Sequence, residues 1–148
     1  MEKRLYMTIE PKPKERPRAA IIGGHARIFT PKTTEAYEKE LRTAWIRANG
    51  EMPEEGPLRI RIYFGLPIPK STTKANKLQM VTRQVFPTKK PDLDNLAKAV
   101  MDALNGVAYK DDSQIVTVLT KKNYGEMPYV KVILSDEQPK EGDQDAGK

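Results

Sequence analysis

Cysteine is absent from the 148-residue sequence, and His25 is its only histidine. Disulfide bonds and thiolate metal sites are therefore excluded, and a bound metal ion would be held mainly by carboxylate oxygens. The sequence also has no apolar run long enough to span a bilayer and no signal-peptide pattern at its start. We therefore expect a cytoplasmic protein without a membrane partner.

Acidic residues are missing from one long segment, residues 67–90, which carries six lysines and arginines. By contrast, the last thirteen residues hold five acids and two lysines and show no apolar periodicity. We expect residues 136–148 to form a disordered tail behind a single domain of residues 1–135. The formal charge of the whole chain is +6, so that domain alone carries +9. Such a charge favours a polyanionic partner.

The pattern of apolar residues predicts an α+β fold. Alternation with a period of two predicts six strands, at 4–10, as a pair within 19–30, and at 57–67, 113–125 and 129–135. Spacing of 3.6 residues predicts two principal helices, at 30–50 and 93–104, and allows a short helix near 72–82. We expect the last two strands to form an antiparallel pair. The two principal helices should pack on one mixed or antiparallel sheet.

Five aspartates lie close together in the basic body of the chain: Asp92, Asp94, Asp102, Asp111 and Asp112. Acids of this kind commonly cap helix starts and turns, and Lys98, four residues after Asp94, is well placed for a surface ion pair. Adjacent carboxylates repel, however, and a divalent cation such as Mg²⁺ would neutralise them with carboxylate and water ligands alone. On the residues alone both interpretations remain open: structural acids, or the metal site of a nuclease.

Two segments of this region form a recognisable pair: KPDLDNLAKAVMDALNG, residues 90–106, and AYKDDSQI, residues 108–115. Together they closely resemble the signature of the RusA-type Holliday-junction resolvases, small endodeoxyribonucleases common in prophages. Weaker similarity extends upstream through RIFTPKTTEAYEKELRTA, residues 27–44. The resemblance implies a RusA-like fold and a Mg²⁺-dependent enzyme, with Mn²⁺ as a substitute. It also implies a homodimer that resolves four-way DNA junctions in bacteria or their prophages.

The resemblance also implies the roles of individual residues. Asp92, Asp94 and Asp112 would ligate Mg²⁺, and Lys98 would be the essential lysine of the reaction. Asp102 and Asp111 would support these four residues. Two alternatives are a non-catalytic junction-binding protein, in which the acids only cap helices, and a phosphohydrolase that acts on free nucleotides.

Basic residues on both sides of this region would contact DNA phosphates. The eleven candidates are Lys12, Lys14, Arg16, Arg18, Arg27, Lys70, Lys74, Lys77, Arg83, Lys89 and Lys90. Phe86 lies among them and has two possible roles. It would either stack on or wedge between unpaired bases at the centre of a junction, or anchor its loop to the core.

Overall fold

The computed structural model describes residues 1–15, 18–29 and 31–139, without the side chains of Arg18 and Phe29. These residues form six strands, three α-helices and one turn of 3₁₀ helix: β1 Glu2–Met7, β2 Arg18–Ile22, β3 His25–Phe29, α1 Lys32–Asn49, β4 Leu58–Pro67, α2 Lys74–Val81, α3 Leu93–Ala103, the 3₁₀ turn Asp112–Gln114, β5 Ile115–Gly125 and β6 Tyr129–Asp136. The predicted α+β class is confirmed. Residues 140–148, which make up most of the predicted tail, lie outside the described residues.

The two principal helices form where the sequence predicts them. Pro31 precedes the first turn of α1, where a backbone amide would have no acceptor within the helix, so proline costs no hydrogen bond there. Gly50 ends the helix with a φ of +85°. α1 buries Tyr37, Leu41 and Trp45 along one stripe. α3 likewise buries an apolar stripe that includes Leu96 and Val100, so both helices contribute to one core.

The four-stranded sheet has the order β1-β6-β4-β5, in which β4 lies between β5 and β6. β1 and β4 both pair antiparallel with β6, whereas β4 and β5 pair parallel. The sheet is therefore mixed, as predicted, but the prediction that β5 and β6 pair with each other is wrong. β4 carries the most apolar alternation in the chain, with Leu58, Ile60 and Ile62 fully buried, and burial favours a central position.

A parallel pair of strands needs a long crossover connection, and this crossover positions α3. Residues 68–114 leave the end of β4, form α2 and α3, and return to the start of β5. α1 and α3 pack against each other and against the apolar face of the sheet. β2 and β3 form a separate hairpin around Gly23 and Gly24. None of the described helices is both long and apolar enough to cross a membrane.

Candidate active site

The first turn of α3 presents two exposed aspartates. Asp92 occupies the position before the helix, yet its side chain makes no capping hydrogen bond. One oxygen of Asp94 accepts a hydrogen bond of 2.9 Å from the backbone amide of Asn95. Neither carboxylate forms an ion pair within the described residues. Most of their oxygen lone pairs therefore face solvent.

Lys122, on β5, holds the chain that enters this turn. Its ammonium group donates hydrogen bonds to the backbone oxygens of Lys89, at 2.9 Å, and Pro91, at 3.0 Å. These contacts attach the segment before Asp92 to the sheet. The position of Asp92 is thus set by tertiary contacts as well as by the helix itself.

The last turn of α3 contains an aspartate in a different environment. Asp102 is half-buried, and one of its oxygens lies 3.2 Å from the ammonium group of Lys14 and 3.8 Å from that of Lys98. Lys14 also donates to Glu38 on α1, at 2.5 Å. Burial lowers the pKa of Lys14, but hydrogen bonds to Glu38 and Asp102 outweigh it, and the pKa rises above its ordinary value. Asp102 is therefore a structural ion-pair partner.

Lys98 stands four residues from an aspartate on either side, Asp94 before it and Asp102 after it. In the structure it pairs with Asp102. Its side chain remains 61% exposed, so the pair is a surface contact worth well under 1 kcal/mol. Because Lys98 pairs with Asp102, the carboxylate of Asp94 has no cation among the described residues.

The two aspartates after α3 also differ from each other. Asp111 caps the 3₁₀ turn: its carboxylate accepts hydrogen bonds from the amide and hydroxyl of Ser113 and from Asn105, and the Ser113 contacts lower its pKa. Asp112 is half-buried, and its side chain has no hydrogen bond or ion pair among the described residues. A purely structural role in a turn therefore explains Asp111 but does not explain Asp112.

Tyr109 lies between these aspartates and the helix. It is fully buried, and its hydroxyl donates a hydrogen bond of 2.5 Å to the backbone oxygen of Met101. Burial raises the pKa of Tyr109, and the negative charges of Asp112, Asp102 and Asp111 raise it further. These three carboxylates therefore lie close enough to act on Tyr109, which contacts the last turn of α3 through Met101.

Asp112 and the pair Asp92 and Asp94 belong to segments at different ends of α3. Asp92 precedes α3, which has eleven residues and is roughly 16 Å long, whereas Asp111, the neighbour of Asp112, accepts a hydrogen bond from Asn105 just after the helix. Within residues 1–15, 18–29 and 31–139, no group of three or more acids or histidines could hold a metal ion. Asp92 and Asp94 alone still suit Mg²⁺ in the chemistry of their donors, because that ion uses one or two carboxylates and keeps several waters.

The predicted DNA-binding residues fall into four groups. Lys12 and Lys90 line a groove of about 520 Å³ that also contains Asp92, so they lie beside the first turn of α3. Lys14 is neutralised by its two carboxylate partners. Arg16 lies outside the described residues, as does the side chain of Arg18. The remaining candidates are exposed: Arg27, Lys70, Lys74, Lys77, Arg83 and Lys89.

Phe86 does not anchor its loop in the core. Its side chain is 53% exposed, while Pro87, the next residue, is buried. Phe86 lines a cleft of about 560 Å³ together with Leu93 and Lys122, so it lies near the start of α3. Stacking of Phe86 on bases remains a prediction. The buried residue that anchors this loop is Pro87.

The structure assigns structural roles to three residues that the sequence reasoning missed: Glu38, Tyr109 and Lys122. The position of Lys122 could have been found from the sequence, because Lys121 and Lys122 are adjacent on a predicted strand and one of them must face the helices. Tyr109 belongs to the motif AYKDDSQI but reads as an ordinary strand residue. Glu38 left no signal, since its contact with Lys14 joins residues 24 positions apart.

Comparison with known proteins identifies the family of this chain. Residues 8–135 match the family model described as endodeoxyribonuclease RusA. The chain is also 33% identical over 129 residues to the protein named "Uncharacterized protein YqaN" of Bacillus subtilis (strain 168), covering 86% of this chain and 91% of that protein. The family match covers nearly all of the folded body, including α3 and the turn with Asp112. The chain therefore belongs to the RusA family of endodeoxyribonucleases, the Holliday-junction resolvases.

Proposed function

We propose that this protein is a divalent-metal-dependent endonuclease that resolves four-way DNA junctions by paired nicks and acts as a homodimer. One observation supports the proposal above the others. Asp92, Asp94 and Asp112, the three acids that correspond to metal ligands in the family motif, have no cation partner among the described residues. Asp102 and Asp111, by contrast, are engaged in ion pairs or capping. Structural needs account for the second group and leave the first unexplained.

The acidic residues would bind the metal ion, and the basic residues would contact the DNA. Asp92 and Asp94 would hold Mg²⁺ or Mn²⁺, and the bound cation would supply activated water and stabilise charge on the scissile phosphate. Lys98, one turn after Asp94 and 61% exposed, would stabilise the developing negative charge. Lys12 and Lys90, which line the groove beside Asp92, would fix the phosphate backbone. The enzyme would act on four-way DNA junctions in the cytoplasm of a bacterium.

The symmetry of the substrate and the position of Asp112 support the proposed homodimer. A two-fold dimer presents two identical sites to a junction that is itself nearly two-fold symmetric, as paired nicks require. A second copy could supply one of the three acids to a metal ion, because Asp92 precedes α3 and Asp111, the neighbour of Asp112, contacts Asn105 just after it. This makes the oligomeric state part of the proposal.

Cleavage of a synthetic four-way junction tests the proposal directly. The protein should produce two opposed nicks in Mg²⁺ or Mn²⁺ and none in a chelator. Asp94→Asn should lower the rate by about 100-fold or more while junction binding is retained or tightened, because the variant removes a negative charge near phosphate. The matched variant Asp102→Asn changes the same residue type at the other end of α3 and should keep most of the activity.

Three results would reject the proposal in different ways. Binding without metal-dependent cleavage would indicate a non-catalytic junction protein. Release of phosphate from free nucleotides at a higher rate than junction cleavage would indicate a phosphohydrolase. Full activity of a protein that sediments as a monomer would reject the proposed homodimer.

A further inference from the structure

The face of the sheet opposite α1 and α3 carries a shallow cleft of about 590 Å³ across β1, β6 and β4. Three tyrosines, one isoleucine and four cations line it, and no acid is among the lining residues. The cations are Arg4, Arg61, Arg83 and Lys131. We call this surface the tyrosine face. It is separate from the first turn of α3, where the candidate metal ligands lie.

Two of its tyrosines form a preassembled stack. The rings of Tyr6 and Tyr129 lie 5.5 Å apart between centroids with 17° between their planes. The ring of Tyr129 rests directly on Gly65, where a Cβ atom would come within 2.2 Å of it. Tyr6 is 61% exposed, so it offers aromatic surface to an incoming group. A planar base can stack on such a surface at little conformational cost, because the underlying ring is already held.

The charges of the tyrosine face are poorly neutralised. Arg4 and Arg61 share one carboxylate, that of Glu2. Lys131 and Arg83 form no ion pair within the described part of the chain, and the ammonium group of Lys131 lies 5.9 Å from the ring centre of Tyr63. The face is therefore positive beside its aromatic rings, a combination that suits phosphates connected to bases.

The tyrosine face continues toward the candidate active site. Tyr63 and Arg83 line both this cleft and the neighbouring cleft that contains Phe86, Leu93 and Lys122. The second cleft reaches the start of α3, next to Asp92. A strand of DNA bound along the sheet could thus pass Arg83 and Phe86 and arrive at the metal-binding acids.

We propose that the tyrosine face binds an unpaired DNA strand of the branched substrate, with a base stacked on Tyr6 and phosphates contacting Arg83 and Lys131. The proposal rests on the proposed function for the source of that strand. A second copy of the chain is a poorer occupant, because a two-fold contact through this face would oppose identical sets of four cations. A polyanion faces no such repulsion.

Binding of a fluorescent single-stranded oligonucleotide of roughly 20 nucleotides, followed by anisotropy in a chelator, tests the proposal without any cleavage. Tyr6→Leu should weaken binding about tenfold, since it removes the aromatic surface of an exposed residue. Tyr6→Phe keeps the ring and should remain within about twofold of the wild type. Lys131→Gln should weaken binding severalfold and flatten its salt dependence. Lys39→Gln removes the same charge from exposed α1 and should have little effect.

The outcomes separate this proposal from the proposed function. If Tyr6→Leu and Lys131→Gln both bind the oligonucleotide as tightly as the wild type, the tyrosine face is not the strand site. If these variants instead change the sedimentation coefficient and lose binding only as the dimer dissociates, the face is an interface between copies and the proposal is overturned. Failure of junction cleavage with normal single-strand binding would reject the nuclease proposal alone.

Discussion

The two ends of α3 carry the same type of residue in different surroundings. At the first turn, Asp92 and Asp94 are exposed and have no cation partner among the described residues. At the last turn, Asp102 is half-buried between Lys14 and Lys98. Asp102 thus has its counter-charge supplied by the chain, whereas Asp92 and Asp94, which we propose to bind a metal ion, have none among the described residues. The presence of a partner cation therefore separates aspartates that residue type and helical position leave alike.

The difference also has a consequence for stability. Two neighbouring carboxylates at a helix start repel each other, and the helix dipole offsets only part of that cost. The opposite end of α3 is firmly attached, through Asp102 to Lys14 and α1 and through Tyr109 to Met101. We infer that the attached end lets the fold tolerate the unpaired acids. Three variants test this comparison.

The largest effect on stability should come from Lys14→Met. The substitution leaves the half-buried carboxylates of Glu38 and Asp102 near each other without their shared cation, and we expect a loss of about 1–3 kcal/mol in the free energy of unfolding. Urea denaturation measures it. Lys12→Met, a matched change at an exposed neighbour, should stay within about 0.5 kcal/mol of the wild type. Equal effects of the two variants would mean that the Lys14 ion pairs do not hold the last turn.

Tyr109→Phe should have a smaller effect that depends on pH. At neutral pH the loss of the hydrogen bond to Met101 should cost about 1 kcal/mol. The folded protein raises the pKa of Tyr109 above its ordinary value of 10.0, so the stabilisation of the protonated hydroxyl is complete below that pH and declines as pH rises through the folded pKa. The wild type should therefore lose its advantage over the variant at alkaline pH. A constant difference in unfolding free energy from pH 7 to about pH 11 would contradict this.

The smallest effect on stability should come from Asp92→Asn, at the first turn. Asparagine suits the position before a helix as well as aspartate does, and no ion pair is lost, so the unfolding free energy should change by at most about 0.5 kcal/mol. Junction cleavage, measured in parallel, should nevertheless fall by about 100-fold or more. A large loss of stability at this position would assign Asp92 a structural role and remove the contrast with Asp102.

Most secondary structure could be predicted because it depends on local patterns. The helices at Lys32–Asn49 and Leu93–Ala103 follow from apolar spacing and end signals, and the strands differ from the predicted ranges by only a few residues. The pairing of strands could not be predicted from local patterns, because it depends on contacts between distant segments. Adjacent strands in sequence usually pair, yet β4 inserts between β5 and β6, which places the most apolar strand in the interior of the sheet.

The sequence by itself determined the family, the positive charge of the body, the two principal helices and the set of candidate acids. These features depend on residue identity and short spacing, which need no knowledge of distant contacts. Only the tertiary structure decided which acids have partners: Lys14 reaches Asp102 across 88 positions, and Lys122 fixes the segment before Asp92 from another strand. Counter-charges and carbonyl contacts of this kind arise from chain segments brought together by folding. Among the described residues, Asp102 has a counter-charge whereas Asp92 and Asp94 have none, and this distinguishes the acid that supports the helix from those proposed to bind metal.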